Sequence, residues 1–304
     1  MRLAFMRSDS FINAAGKPRP IVGIAWMAGC LASFSSMAIA SRELSDTMSI
    51  FQILLLRSVV GLAVMLIVAR RLLPKLLQLA NLRLHAVRNL IHFSAQYCWT
   101  VGIVMLPLAD VFALEFTMPI WAAFFAWLAL GERITRARAL ATAASFIGVL
   151  IVLQPGFKAI DPAALIVLMA AAGYGASAVI VKRLTADSSP GLIVLWMMIM
   201  QFPMALAALL ISGGWVMPGW DDVPWILLVG LSMLTAHYSM ARALTVMDAS
   251  LAIPIDFLRV PLIAILGWLL YGEGLSTAVF AGAALIAGSN YLAMRAELRA
   301  PKAK

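Results

Sequence analysis

Apolar segments of membrane-spanning length follow one another along almost the whole chain, and this feature excludes most folds. Runs separated by charge clusters and Pro/Gly breaks fall near 21–40, 48–69, 84–106, 109–130, 137–154, 162–181, 191–213, 223–246, 249–271 and 275–294. A spanning helix needs about 20 mostly apolar residues, so 304 residues hold ten such spans and leave no room for a separate soluble domain. Of those residues 63% are hydrophobic and 12% charged, whereas soluble domains are about half apolar and a quarter charged. The expected fold is all-α, a polytopic membrane protein. The fifth run is short and the break between the third and fourth is almost absent, so the hydropathy pattern alone leaves nine spans open.

The loop charges supply a second count. Arg2, Arg7, Lys17 and Arg19 precede the first run. Arg70, Arg71, Lys75 and Arg83 lie between the second and third, Arg133, Arg136 and Arg138 between the fourth and fifth, and Lys182 and Arg183 after the sixth. Arg295, Arg299, Lys302 and Lys304 end the chain, and only Arg42 and Lys158 fall in the alternate loops. Lys and Arg concentrate on the cytoplasmic side, so an even number of spans with both termini cytoplasmic is expected. The net charge of +9 is scattered among apolar runs and forms no nucleic-acid patch. Residues 1–20 lack the apolar core and cleavage site of a signal peptide and read as a cytoplasmic arm. Cys30 and Cys98 fall inside spans without metal or redox spacing and read as small core residues.

The chain also repeats itself. Leu106 through Thr135 recurs 141 residues later as Met247 through Ser276. Trp127 meets Trp268, Gly131-Glu132 meets Gly272-Glu273, Glu115 meets Asp256, and Thr135 meets Ser276 as a helix N-cap. One span earlier, Ala95-Gln96-Tyr97 meets Ala236-His237-Tyr238. Each copy holds five spans, an odd number, so the two halves enter the membrane from opposite sides. Inverted halves are a device of secondary transporters, whose sites lie near the midplane between them. The expected division is an arm over 1–20, repeats over 21–156 and 157–295, and a tail over 296–304.

With the Gly-Glu pair ending the fourth helix of each half, Pro119 thirteen residues before Glu132, Arg57 in the second helix, and Tyr97 and Tyr238, the chain resembles the drug/metabolite transporter superfamily, in particular its tandem EamA-type ten-helix members. Pro261 sits twelve residues before Glu273, and the seventh span has no arginine matching Arg57. The resemblance implies transport of small metabolites, mostly export, with uptake of vitamins or S-adenosylmethionine among the exceptions.

A charge at the bilayer centre costs about 2.5–3.5 kcal/mol on insertion scales, so intramembrane ionisable residues are functional candidates. Arg57, Arg88, Glu115, Arg242, Asp256 and Arg259, with His92 and His237, fall within spans. Arg88, His92, Gln96 and Trp99 follow spacings of four, four and three along one helix face, although Arg88 could simply snorkel to the headgroups. Asp256 and Arg259, three apart, lie between Pro254 and Pro261 in a helix whose backbone bonding is interrupted; they either bind ligand or form a private ion pair. Glu115 is a candidate proton site, because an unpaired carboxylate in an apolar helix is easily held neutral, while pairing with Arg57 would hold it ionised. Tyr97, Trp99, His237 and Tyr238 could stack on a substrate or serve as packing, and Tyr238 shares a face with Arg242. Glu132 and Glu273 end their helices away from the midplane and read as caps.

The four arginines favour a cargo bearing carboxylates, with Glu115 or Asp256 receiving an amine. The first expectation is therefore export of an amino acid or amino-acid-derived zwitterion or anion across the inner membrane. Uptake of S-adenosylmethionine or a vitamin-like planar compound is the alternative. No HExxH, phosphate-loop or Gly-x-Ser-x-Gly motif supports an enzyme or an ATP-driven pump. A receptor or scaffold would be expected to carry a signalling extension. The expected partners are a small-molecule substrate and the lipid bilayer, with proton coupling and a homodimer left open. No nucleic acid, metal or cofactor is called for.

Overall fold

The computed structural model describes residues 20–68, 81–131, 135–154, 161–185, 187–247, 252 and 255–299. Their named elements are all helices: α1 (Pro20–Ser45), α2 (Ile50–Val68), α3 (Leu82–Met105), α4 (Leu108–Glu115), α5 (Met118–Leu130), α6 (Arg136–Leu153), α7 (Pro162–Leu184), α8 (Pro190–Ser212), α9 (Val223–Val246), α10 (Arg259–Tyr271) and α11 (Thr277–Arg299). Seven segments are long and apolar enough to cross a membrane, one of them joining α4 and α5 over Leu108–Leu130. Shorter apolar helices lie at Ala139–Leu153 and Arg259–Tyr271. With the 24-residue α3, whose hydropathy is lowered by its polar stripe, these make the ten segments expected. The chain is an all-helical polytopic membrane protein in two inverted halves. The basic clusters before residue 20, at 70–75, at Arg133 and beyond residue 299, together with Lys158, Glu132 and Pro254, lie outside the described residues.

The offset of 141 residues governs the elements as well as the motifs. Adding it to α3, Leu82–Met105, gives the bounds of α9; adding it to α5, Met118–Leu130, gives those of α10. Both α5 and α10 end on a left-handed glycine, Gly131 at φ 66° and Gly272 at φ 65°, a conformation costly for any residue with a Cβ. Asp161 and Ser189 cap α7 and α8 by accepting from the amides of Ala163 and Leu192, each just before a proline at the first helical position. Prolines also mark the mid-membrane breaks. Pro119 sits in the first turn of α5 after the turn at Phe116–Thr117, and Pro261 in the first turn of α10 after the turn at Phe257–Leu258. A proline is tolerated there because first-turn amides have no intrahelical acceptor.

Packing is reciprocal between the halves. α1 lies against α9, and α3 against α7; α2 meets α8, and α6 meets α11. Exchanging the halves maps each of these pairs onto another or onto itself. The pairs run antiparallel: Gly23 near the start of α1 approaches Met247 beyond α9, and Thr47 beyond the end of α1 donates to Asp222 at the start of α9. Likewise Asn81 at the start of α3 donates to Asp187 beyond α7. At the α6–α11 crossing, Ser145 and Ser289 hydroxyls lie 2.9 Å apart, and a Cβ on Gly148 would stand 2.8 Å from the Gly282 carbonyl. Small residues that let backbones touch are the usual adhesive between helices in lipid. α6 and α11 thus form a flank, and the other helices enclose the centre.

Candidate functional site

The centre is organised by Arg259, the first residue of α10. Its guanidinium is buried and donates to Asp256 Oδ2 at 3.2 Å, and its Nη1 lies 3.6 Å from Glu115 Oε1. Glu115 ends α4 and Asp256 is its repeat mate, so the two mid-membrane breaks converge on one cation. Phenylalanine rings surround that cation: Phe34 of α1, Phe116 and Phe112 have centroids 4.5, 4.9 and 5.2 Å from the guanidinium carbon. A guanidinium on ring faces keeps attraction where water is excluded. Trp99 of α3 closes the other side, donating from Nε1 to Glu115 Oε2 at 2.7 Å. Asp256–Arg259 is the ion pair their spacing anticipates, and Glu115 joins it.

Glu115 pairs with Arg259 and not with Arg57. Arg57 is buried in α2 and donates to Gln96 Oε1 at 2.6 Å. Above Gln96 on the same face of α3, His92 is buried with Nδ1 3.1 Å from Gln201 Nε2, and its ring lies 5.4 Å from that of Tyr174 on α7. Arg88, one turn further, donates to Asn89 at 3.0 Å and is 7% exposed, so its burial rules out simple snorkelling. Arg88, His92, Gln96 and Trp99 thus form the continuous buried stripe expected of α3. Among the described residues, Arg57 Nε, Arg88 Nε and Asp256 Oδ1 are buried without a hydrogen-bond partner. Such groups are costly to leave unsatisfied, and in a cavity they are where a ligand or water gains most.

The remaining candidates are more dispersed. His237 donates from Nδ1 to the Met233 carbonyl, 2.8 Å away, and edges the Phe34 ring at 5.6 Å, so it borders the central cluster on an exposed face of α9. Tyr97 stacks flat on Phe51 at 4.7 Å, within an apolar cluster of α2, α3 and α8. Tyr238 is exposed and meets Trp26 edge-on, and Arg242 stands 5.7 Å from the same Trp26 ring. These three belong to helix packing and the rim, not to the Arg259 cluster.

Several residues of the centre carry no charge and so escaped a search for charges within spans: Phe34, Phe112, Phe116, Phe257, Tyr174 and Gln201. Phe116 and Phe257 are repeat mates whose rings lie 4.4 Å apart, a signal the repeat alignment carried. Beside them, a cavity of about 410 Å³ opens between α5, α6, α7 and α11, lined mostly by alanines and methionines together with Lys182, Thr142 and Asn290. Asn290 donates to the Phe116 carbonyl at 3.3 Å, which joins the cavity wall to the central cluster.

This arrangement of inverted halves has a counterpart in sequence. The EamA-like transporter family matches residues 21–154 and again 161–295. The chain belongs to the EamA-like transporter family. As such it is a multi-pass membrane transporter of small molecules. Among relatives, it is 34% identical to the riboflavin transporter of Rhizobium johnstonii over 71% of each chain. It is 22% identical to the S-adenosylmethionine uptake transporter of Rickettsia prowazekii over 93% of this chain and 95% of that one. A crystal structure at 16% identity superposes with a TM-score of 0.56 over 88% of this chain and 98% of that one, which shows a shared fold. These family and relative names are those of transporters, not enzymes.

Proposed function

We propose that this EamA-like transporter takes up a planar heteroaromatic metabolite of the riboflavin class across the inner membrane, with both chain ends in the cytoplasm. The observation that carries this reading is a set of unsatisfied buried polar atoms, Arg57 Nε and Asp256 Oδ1, together with the aromatic rings that pack about Arg259, the ion-pair partner of Asp256. A flavin presents an imide edge of alternating carbonyls and N–H on a flat ring system. Arg57 would donate to a ring carbonyl, Asp256 would accept an N–H or a hydroxyl of the sugar-alcohol chain, and the rings would stack. Similarity to the Rhizobium johnstonii riboflavin transporter supports the cargo class, and the name of the Rickettsia relative supports uptake. The remaining buried candidates act in this reading as hydrogen-bonding and orienting groups, while Tyr97, Tyr238 and Arg242 act at a distance.

Export of an amino-acid-derived zwitterion is the second reading. It is favoured by Arg259 between Glu115 and Asp256, which could receive a carboxylate and an amine. Flux into liposomes reconstituted with the purified protein separates the two. The first reading expects saturable riboflavin accumulation above protein-free vesicles, reduced at least about tenfold by Arg57→Leu, equivalent to about 1.4 kcal/mol. Riboflavin entry at the protein-free rate, alongside flux of a zwitterionic amino acid, would overturn it in favour of the second.

A further inference from the structure

Repeat mates in two equivalent halves should have equal surroundings, yet here they do not. In α3, Gln96, Thr100 and Ile103 are buried at 4%, 1% and 0% exposure; their mates in α9, His237, Ala241 and Leu244, are all exposed. The same contrast separates α10, which buries five residues including Arg259 and Ile263, from its mate α5, which buries Ala126 alone beside the 410 Å³ cavity. The buried members lie toward the face opposite the chain ends. The exposed members lie toward the face where α1 begins and α11 ends.

At the packed face one residue ties three elements together. Arg42, in the last turn of α1, forms an ion pair with Glu273 just beyond α10 and donates to the carbonyls of Ile103 and Leu106 at the end of α3. Glu273 Oε2 accepts the Leu108 amide at the start of α4 at 2.9 Å. A cation thus sits on a helix C-terminus and an anion on a helix N-terminus, each where the unpaired backbone groups and helix dipole favour it. The Tyr271 ring lies 5.0 Å from the Arg42 guanidinium and its hydroxyl donates to Glu43. Adding 141 to Arg42 gives Arg183, and subtracting it from Glu273 gives Glu132. Arg183 is exposed at the opposite face, and Glu132 lies outside the described residues.

We propose that Arg42 and Glu273 form a latch that shuts the face opposite the chain ends and that it must open for transport. This rests on the chain being a transporter and is independent of its cargo. The test replaces Cys30 and Cys98 with serine, places single cysteines at Thr100 or Leu244, and labels sealed oriented vesicles with a membrane-impermeant maleimide. Without further change, Leu244→Cys labels from the face of the chain ends and Thr100→Cys is protected from the other. Arg42→Gln or Glu273→Gln is expected to raise Thr100→Cys labelling from that other face at least fivefold. A second measurement covers variants that fail to insert. In Arg42→Cys/Glu273→Cys, a short reducible bis-thiol crosslinker should stop flux of whichever cargo the protein carries, and reductant should restore it. Unchanged Thr100→Cys labelling in inserted variants, or undiminished flux in crosslinked protein, would overturn the latch whatever the cargo proves to be.

Discussion

Arg259 illustrates how a charge is tolerated in lipid: two carboxylates, one from each half, and three aromatic rings replace its hydration. Removing one partner of such a group leaves the others uncompensated, at a cost of about 3–5 kcal/mol. Arg259→Met is therefore expected to lower the thermal stability of the purified protein markedly, because Glu115 and Asp256 would then face each other without a counterion. Adding Glu115→Gln and Asp256→Asn should restore most of the melting temperature while flux stays abolished. Tyr97 behaves differently. Its ring stacks on Phe51, a contact worth about 0.5–1.5 kcal/mol, so Tyr97→Phe should transport at the unaltered rate, and Tyr97→Ala should lose stability first; flux and melting measurements on the two variants check this. The ionisable members of the site were legible because charge in an apolar run is rare. Phe34 and Gln201 were not, since a phenylalanine or glutamine in a spanning helix is ordinary until tertiary packing sets it beside Arg259 or His92.

At the scale of elements, the spans could be read to within a few residues because lipid dictates their length and composition. Their interruptions were partly legible too. Pro119 and Pro261 announce the starts of α5 and α10, but whether the freed backbone is exposed or recapped depends on the neighbouring helices. The Gly-Glu pairs were read as caps, and the glycines do terminate α5 and α10. Glu273 does more, because Arg42 lies 231 residues away and no local pattern could bring them together. Contact between α6 and α11 depends on small residues, as the glycines show. Gly282→Val would press a side chain against the Gly148 carbonyl, 2.5 Å from an added Cβ, whereas Gly288 has open space within 4 Å. Gly282→Val is expected to lower the melting temperature by several degrees, and Gly288→Ala to leave it nearly unchanged or to raise it slightly through helix propensity.

For the whole molecule, inversion is what gives the unequal surroundings of repeat mates their meaning: one sequence logic, used twice in opposite orientations, is packed shut at one face and open at the other. The sequence disclosed the inversion through parity and repeat spacing. It could not disclose which face is closed, because the repeat mates are alike in sequence and the difference lies in how they pack. The most direct test of inversion uses the mates Asp46 and Asp187, which follow α1 and α7 at equivalent positions. Single cysteines at these positions, in protein lacking Cys30 and Cys98, can be labelled with an impermeant maleimide from one side of the membrane and then from the other. The account predicts that Asp46→Cys and Asp187→Cys react from opposite sides, with Asp187→Cys on the side of both chain ends. Reaction of both from the same side would contradict it.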